Sequence, residues 1–172
     1  YSQISPNIVK ALIATEDVRF EKHSGVDPEA VARVIAKTVL LARKSSGGGS
    51  TITQQLAKLL YSDRDFSNMG RIRKSFALVN IKLKEWITAI KLERRYTKEE
   101  IIAMYLNKFN FIYGAYGIEA AAETYFSKNN KDLTISEAAV LVGMLKNPSL
   151  YNPVRRREQA TLRRNTVLKR MY

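Results

Sequence analysis

A chain of 172 residues with 45% apolar side chains is long enough to bury a core of its own and too apolar to stay disordered. Cysteine is absent, which excludes disulfide staples and thiolate metal sites. The 29 lysines and arginines against 16 aspartates and glutamates leave a net charge of +13, a field suited to nucleic acid, an anionic lipid surface or a phosphorylated substrate.

The pattern is helical almost throughout. Ser5-Pro6 predicts a cap with proline in the first turn, and Ile8, Val9, Leu12 and Ile13 continue with a period near 3.6. Asp27-Pro28 starts a second helix in the same way, through Val31, Val34, Ile35 and Val39. The low-complexity run Ser45-Ser46-Gly47-Gly48-Gly49-Ser50 ends it, and a third helix follows from about Thr51 to Leu60. The polar stretch from Ser62 to Lys74, with Gly70, predicts a long loop, and a long helix is expected from about Ser75 to Tyr96. Thr97 and Glu100 are spaced as a capping box for a helix through Ile101, Met104, Tyr105 and Phe109. Gly114 and Gly117 break the chain before a short alanine-rich helix that ends near Phe126. Thr134 and Glu137 cap another through Leu145, and Pro148 and Pro153 mark a turn before a basic final helix. No internal repeat and no strand pattern stand out, so the expected fold class is all-α. No apolar run approaches the roughly 20 residues of a membrane span, and no signal-peptide pattern opens the chain. Because the pattern stops inside a helix at Tyr172, a single domain over 1–172, excised from a longer membrane-anchored chain, is expected.

Two carboxylates occupy places where apolar residues belong. At about 100° per residue, Leu12 and Val9 fall within roughly 40° of Glu16, and Ile13 and Phe20 within about 60°, while Asp17 points to the side. Charged residues are rarely buried unless paired or working, and a partly desolvated carboxylate has the basicity that general-base catalysis needs. The plainer alternatives are that the helix stops before Glu16, or that an arginine pairs with it structurally. Glu85 repeats the pattern on the long helix, with Leu78, Ile81, Ala89 and Leu92 on its side and Lys84 and Lys91 elsewhere. Paired carboxylates flanking one cleft are the usual equipment for chemistry at an anomeric carbon; an interhelical salt bridge is the structural alternative for Glu85.

Gly47-Gly48-Gly49-Ser50-Thr51 directly precedes a helix, where free N–H groups attract anions. Gln54, Gln55 and Lys58 add amide donors and a cation, a set that suits a diphosphate. A flexible linker has the same composition, and the Gly-Lys-Ser/Thr of a P-loop is missing. Lys82 and Lys84 flank Glu85, and Arg64, Arg71, Arg73 and Lys74 precede them. Arg155, Arg156, Arg157, Arg163, Arg164, Lys169 and Arg170 are expected to make the last helix a basic surface. The lone His23 has no partner for a metal site and is expected to be structural.

Ala14-Thr15-Glu16-Asp17-Val18-Arg19-Phe20, followed by His23, Gly25 and Asp27, resembles the first motif of the peptidoglycan glycosyltransferases. These are the polymerising domains of class A penicillin-binding proteins and of monofunctional transglycosylases. Gly48-Gly49-Ser50-Thr51-Ile52-Thr53-Gln54-Gln55-Leu56-Ala57-Lys58 resembles the second motif without a break, which weighs against a linker. Lys82-Leu83-Lys84-Glu85 with Ala89 and Leu92-Glu93 is similar to the third. Glu100-Ile101 through Asn107, with Gly114 through Ala122, is similar to the fourth. Pro148-Ser149, Tyr151-Asn152-Pro153, Arg163-Arg164-Asn165 and Val167-Leu168 are similar to the fifth. Two departures stand out: Ile81-Lys82 occupies the place of an Arg-Lys pair, and the stretch from Ser62 to Asn80 is longer than the family's pattern.

The resemblance implies a lysozyme-like all-α fold with a globular lobe and a smaller membrane-associated lobe. The third-to-fourth helical region would lie in the globular lobe, and the glycine-run region near the membrane face. It implies polymerisation of lipid II onto a growing glycan strand, with inversion at the MurNAc C1 and release of undecaprenyl diphosphate. Glu16 would be the base, with Glu85 positioning a cation or the diphosphate. Ser50, Thr51, Gln54, Gln55, Lys58, Lys82 and Lys84 would bind substrate, with Arg19 and Arg33 ordering the cleft. No cofactor is required by this chemistry, although some members of the family use a divalent cation, Mg or Mn; no metal ligand set is evident here. The implied location is the outer face of the bacterial cytoplasmic membrane, anchored by a helix outside this fragment, with room for a transpeptidase domain in the full-length chain. Two rivals remain: a lysozyme-like hydrolase, for which Lys58 and Lys82 would be superfluous, and a basic nucleic-acid-binding module, which leaves both carboxylates unexplained.

Overall fold

The computed structural model describes residues 2–40, 49–61 and 71–172, apart from the side chains at 35, 37–40 and 71–76. The expected positions Arg64, Gly47 and Gly48, and the side chains of Arg71, Arg73 and Lys74, therefore lie outside the described residues. The described chain is all-helical: α1 (Pro6–Glu16), α2 (Pro28–Leu40), α3 (Ile52–Tyr61), α4 (Arg71–Glu93), α5 (Lys98–Lys108), α6 (Ile118–Phe126), α7 (Ile135–Met144) and α8 (Arg157–Met171). Short 3-10 turns at Phe20–Lys22 and Asn130–Asp132 complete it, and Asn110 and Tyr116 form an isolated β-bridge.

The caps explain the boundaries. Ser5 accepts the Asn7 amide at 3.3 Å with Pro6 in the first turn, so α1 starts where its orphan N–H groups are met or absent. Thr134 and Glu137 close a full capping box on α7, and Thr97 and Glu100 one on α5. Two expectations shift. The long helix α4 begins at Arg71 and not at Ser75, so the polar residues 71–74 belong to its first turn. Helix α1 ends at Glu16, with Asp17 already at φ −158°, so Phe20 does not share its stripe and is buried from a separate 3-10 turn.

The chain divides into two compact units, one of Tyr1–Val18 with Ile102–Tyr172 and one of Arg19–Ile101. In the first, α7 is apolar on nearly every side; Ala138, Ala139, Leu141, Val142, Gly143 and Met144 are buried, and α1 and α8 pack against it. In the second, α3 packs along α4, with Phe20, Ile52, Leu56, Ala89 and Ile101 inside. The third-motif helix α4 thus shares a unit with the glycine-run helix α3, whose apolar face packs on it. Among the described side chains of α4, Glu85, Ala89 and Leu92 are buried. Leu78, expected beside Glu85 on an apolar side, is 45% exposed. Val79, Leu83, Ile87 and Ile90 are exposed as well, and their spacing puts them on one side of the helix.

Candidate active site

Each unit carries one of the two carboxylates. Glu16 is the last residue of α1, and its side chain is 16% exposed. Arg163 of α8 donates from Nη2 to its Oε1 at 3.1 Å. Arg163 is itself buried, and its guanidinium lies 5.7 Å from the Tyr151 ring. One residue before Glu16, the Thr15 carbonyl accepts from Arg170 Nη1 at 2.6 Å, which meets one of the orphan acceptors at the end of α1. Tyr105, from α5, is buried; burial first and the Glu16 carboxylate second hold its phenol far above its ordinary 10.0, so it keeps its proton. The pairing of Glu16 with an arginine is the structural alternative the sequence left open, and it coexists with the partial exposure a working carboxylate needs. Asp17 is buried as well.

In the second unit Glu85 is 5% exposed, and its Oε2 accepts from Lys82 Nζ at 2.9 Å, one turn earlier on the same helix. Lys82 Nζ also donates to Ser50 Oγ at 3.0 Å. The ammonium therefore ties the end of the glycine run to α4, and it pairs with Glu85 within that helix. The carboxylate is met by a cation, and no group of three or more metal-ligating side chains occurs among the described residues, so this donor set does not fit a divalent-metal cage.

The remaining sequence candidates separate into holders and exposed groups. The Thr51 amide donates to Gln54 Oε1 at 3.1 Å and the Gln54 amide to Thr51 Oγ1 at 3.1 Å, a reciprocal capping box at the start of α3. Thr51 Oγ1 donates onward to the Gly25 carbonyl at 2.6 Å. Both side chains are buried, and the cap uses Gln54 Oε1 while its Nε2 donor is buried with no hydrogen-bond partner among the described residues. Arg19 is committed to Asp27 at 3.3 Å and to Glu29, which orders the turn before α2. Arg33, Lys58 and Lys84 are exposed on α2, α3 and α4, and Gln55 is half-buried. His23 is buried; its Nδ1 accepts the Gly25 amide, and its carbonyl accepts Lys98 Nζ at 2.7 Å.

A family model described as Transglycosylase matches residues 1–172, across both units. The chain belongs to this family. It is 44% identical over 169 residues to penicillin-binding protein 1A of Escherichia coli, covering 98% of this chain and 18% of that protein. It is 43% identical over 167 residues to penicillin-binding protein 1F of Bacillus subtilis, covering 97% of this chain and 22% of that protein. With penicillin-binding protein 2a of Streptococcus pneumoniae it shares 42% identity over 170 residues, covering 99% and 21%. The chain thus spans about a fifth of the length of these relatives.

Sequence reasoning missed three neighbours of Glu16 in this transglycosylase-family chain: Arg163, Arg170 and Tyr105. The first two were expected on a solvated basic face, and no local signal separates them from Arg164 or Lys169. The Thr51–Gln54 cap was legible, because a threonine three residues before a glutamine at a helix start is the capping-box spacing.

Proposed function

We propose that the chain is a peptidoglycan glycosyltransferase that polymerises lipid II into β-1,4-linked glycan strands. The observation that carries this reading is the whole-length family match on a chain whose first-motif glutamate is held, half-shielded, at a helix end by a buried arginine. In the step proposed, the acceptor 4-hydroxyl O–H bond breaks and its proton passes to the Glu16 carboxylate. The oxygen forms the new bond to the donor C1, and the C1–O bond to the diphosphate breaks, its electron pair leaving with undecaprenyl diphosphate. One displacement inverts the anomeric centre. Diphosphate is already a competent leaving group, so cations that meet its growing charge matter more than an acid that protonates it. Ser50 and Lys82 suit that task, with the exposed Lys58 as a further cation, while Thr51 and Gln54 shape the α3 start. No cofactor is needed for this displacement.

The exposed stripe of Val79, Leu83, Ile87 and Ile90 supports contact between α4 and a membrane surface, where a lipid-linked substrate is presented. No helix among the described residues is long and apolar enough to cross a membrane.

The test is strand synthesis from lipid II in detergent by the full-length protein, comparing wild type with Glu16→Gln. Strands from wild type and none from the folded variant support both reaction and base. Equal synthesis by both removes Glu16 from the role, and cleavage of preformed peptidoglycan without synthesis would favour the hydrolase.

A further inference from the structure

The last residue of a helix is poorly restrained by the helix itself, since no later turn packs over it. Glu16 is in that place, followed at once by non-helical backbone at Asp17. Its direction must be set from outside α1. Arg163 and Arg170 are seven positions apart on α8, two turns, so they share a face, and both reach the end of α1. Arg170 secures the backbone at Thr15, and Arg163 secures the carboxylate.

Arg163 is unusually well fixed for an arginine. It is 8% exposed, where solvation does not let the side chain wander. Its stem crosses α7 at Gly143, where an added Cβ would meet Arg163 Cγ at 3.0 Å, tighter than most side-chain contacts allow. Its head lies against Tyr151. The small residue on α7, the ring after it and the carboxylate on α1 bound the side chain at its stem, its face and its tip. From these contacts we infer that Arg163 is a positioning residue for Glu16, aiming the carboxylate at the acceptor hydroxyl, and that Gly143 is the notch that lets it reach. This rests on the proposal that Glu16 is the base. Arg163 touches no reacting atom and acts through Glu16 alone.

The experiment compares Arg163→Lys, Arg163→Met and Gly143→Ala in the full-length protein, each checked by thermal unfolding. Steady-state lipid II polymerisation gives kcat and KM. A parallel NMR spectrum of protein labelled with glutamate at the carboxyl carbon follows the Glu16 resonance, assigned by its loss in Glu16→Gln. For Arg163→Met a roughly ten- to hundredfold fall in kcat is expected, the scale on which a misaimed catalytic group costs rate, with KM within about twofold. Lysine should recover part of that loss, because it keeps the charge but not the planar fork, and Gly143→Ala should lose kcat to a smaller degree. The Glu16 resonance should move in Arg163→Met and move back towards wild type in Arg163→Lys. An unchanged kcat, a loss that tracks the unfolded fraction, or a lysine variant no better than methionine would overturn the inference. Should wild type make no strands at all, the glycosyltransferase reading fails, and the resonance still decides: unmoved in Arg163→Met, it shows that the arginine does not set the carboxylate's surroundings.

Discussion

Replacing Gly25 with alanine is expected to be far more costly than replacing Gly114, although both hold a positive φ. At Gly25, φ is +94°, and an added Cβ would stand 2.7 Å from the Ala89 carbonyl carbon, 2.8 Å from its oxygen and 2.9 Å from the Ile90 nitrogen. These are backbone atoms of α4, and no rotamer change moves them aside. The backbone conformation costs an alanine about 1–2 kcal/mol, and forcing a methyl into a filled space about 1–3 kcal/mol more, together about 2–5 kcal/mol. At Gly114, φ is +76° and nothing lies within 4 Å of the added Cβ. Only the backbone cost of about 1 kcal/mol remains there. At about 2–4 °C per kcal/mol for a chain of this size, Gly25→Ala should lower Tm by about 4–20 °C and Gly114→Ala by about 2–4 °C. Circular dichroism melts at one heating rate measure both. Hydrogen exchange should place the Gly25 effect at the start of α3, whose Thr51 hydroxyl is bonded to the Gly25 carbonyl. Equal shifts for the two glycines would refute the reasoning, because the close approach to α4 would then carry no cost.

A double-mutant cycle on Lys82→Ala and Glu85→Gln, read by urea unfolding, should give a coupling of about 1–2 kcal/mol; the value is held down because Lys82 is 43% exposed while Glu85 is 5% exposed. A coupling near zero would remove the ion pair from the account of the α3–α4 joint. Glu137 titrates below its ordinary 4.5, held there chiefly by Lys128, against burial, and also by the Thr134 amide and hydroxyl. Its contribution is therefore fully present above about pH 4.5 and is lost as pH falls through the lower folded value, so Glu137→Gln should flatten that part of the acid-unfolding curve. A wild-type curve and a variant curve of the same shape would contradict this. Thr134→Ala, which breaks the same capping box, should cost about 1 kcal/mol in urea unfolding, and no change at all would mean that the box does not support α7.

Helix starts were legible because their causes are local. A serine before a proline, or a threonine three residues before a glutamate, meets orphan amides within one turn, so the boundaries of α1, α5 and α7 could be placed from a few neighbouring letters. The motif order, and with it the family, was legible for the same reason: each motif is a short contiguous string. Local period failed where an element ended early. The stripe that carried Glu16 on to Phe20 assumed one helix, and the chain turned at Asp17. It failed again on Leu78, because an apolar face in the sequence does not say whether anything covers it.

By itself, the sequence determined the all-helical class, the caps, the family and the two unusual carboxylates. Only the tertiary structure decided what Glu16 meets, whereas the Lys82 partner of Glu85 stands one turn away on the same helix. Glu16 and Arg163 are 147 positions apart, and nothing near either residue distinguishes this arginine from its solvated neighbours on α8. The choice depends on the notch at Gly143 and on the way α7 brings α1 and α8 to one side of the core, which exists only once long-range burial has brought them together. Thr51 shows both sides of this division: its cap with Gln54 is local, and its hydroxyl's bond to the Gly25 carbonyl, 26 positions away, exists only in the folded chain. For pairs far apart in the chain, such as Glu16 and Arg163, the partner is set by which surfaces bury each other, a property of the whole chain and not of its local pattern.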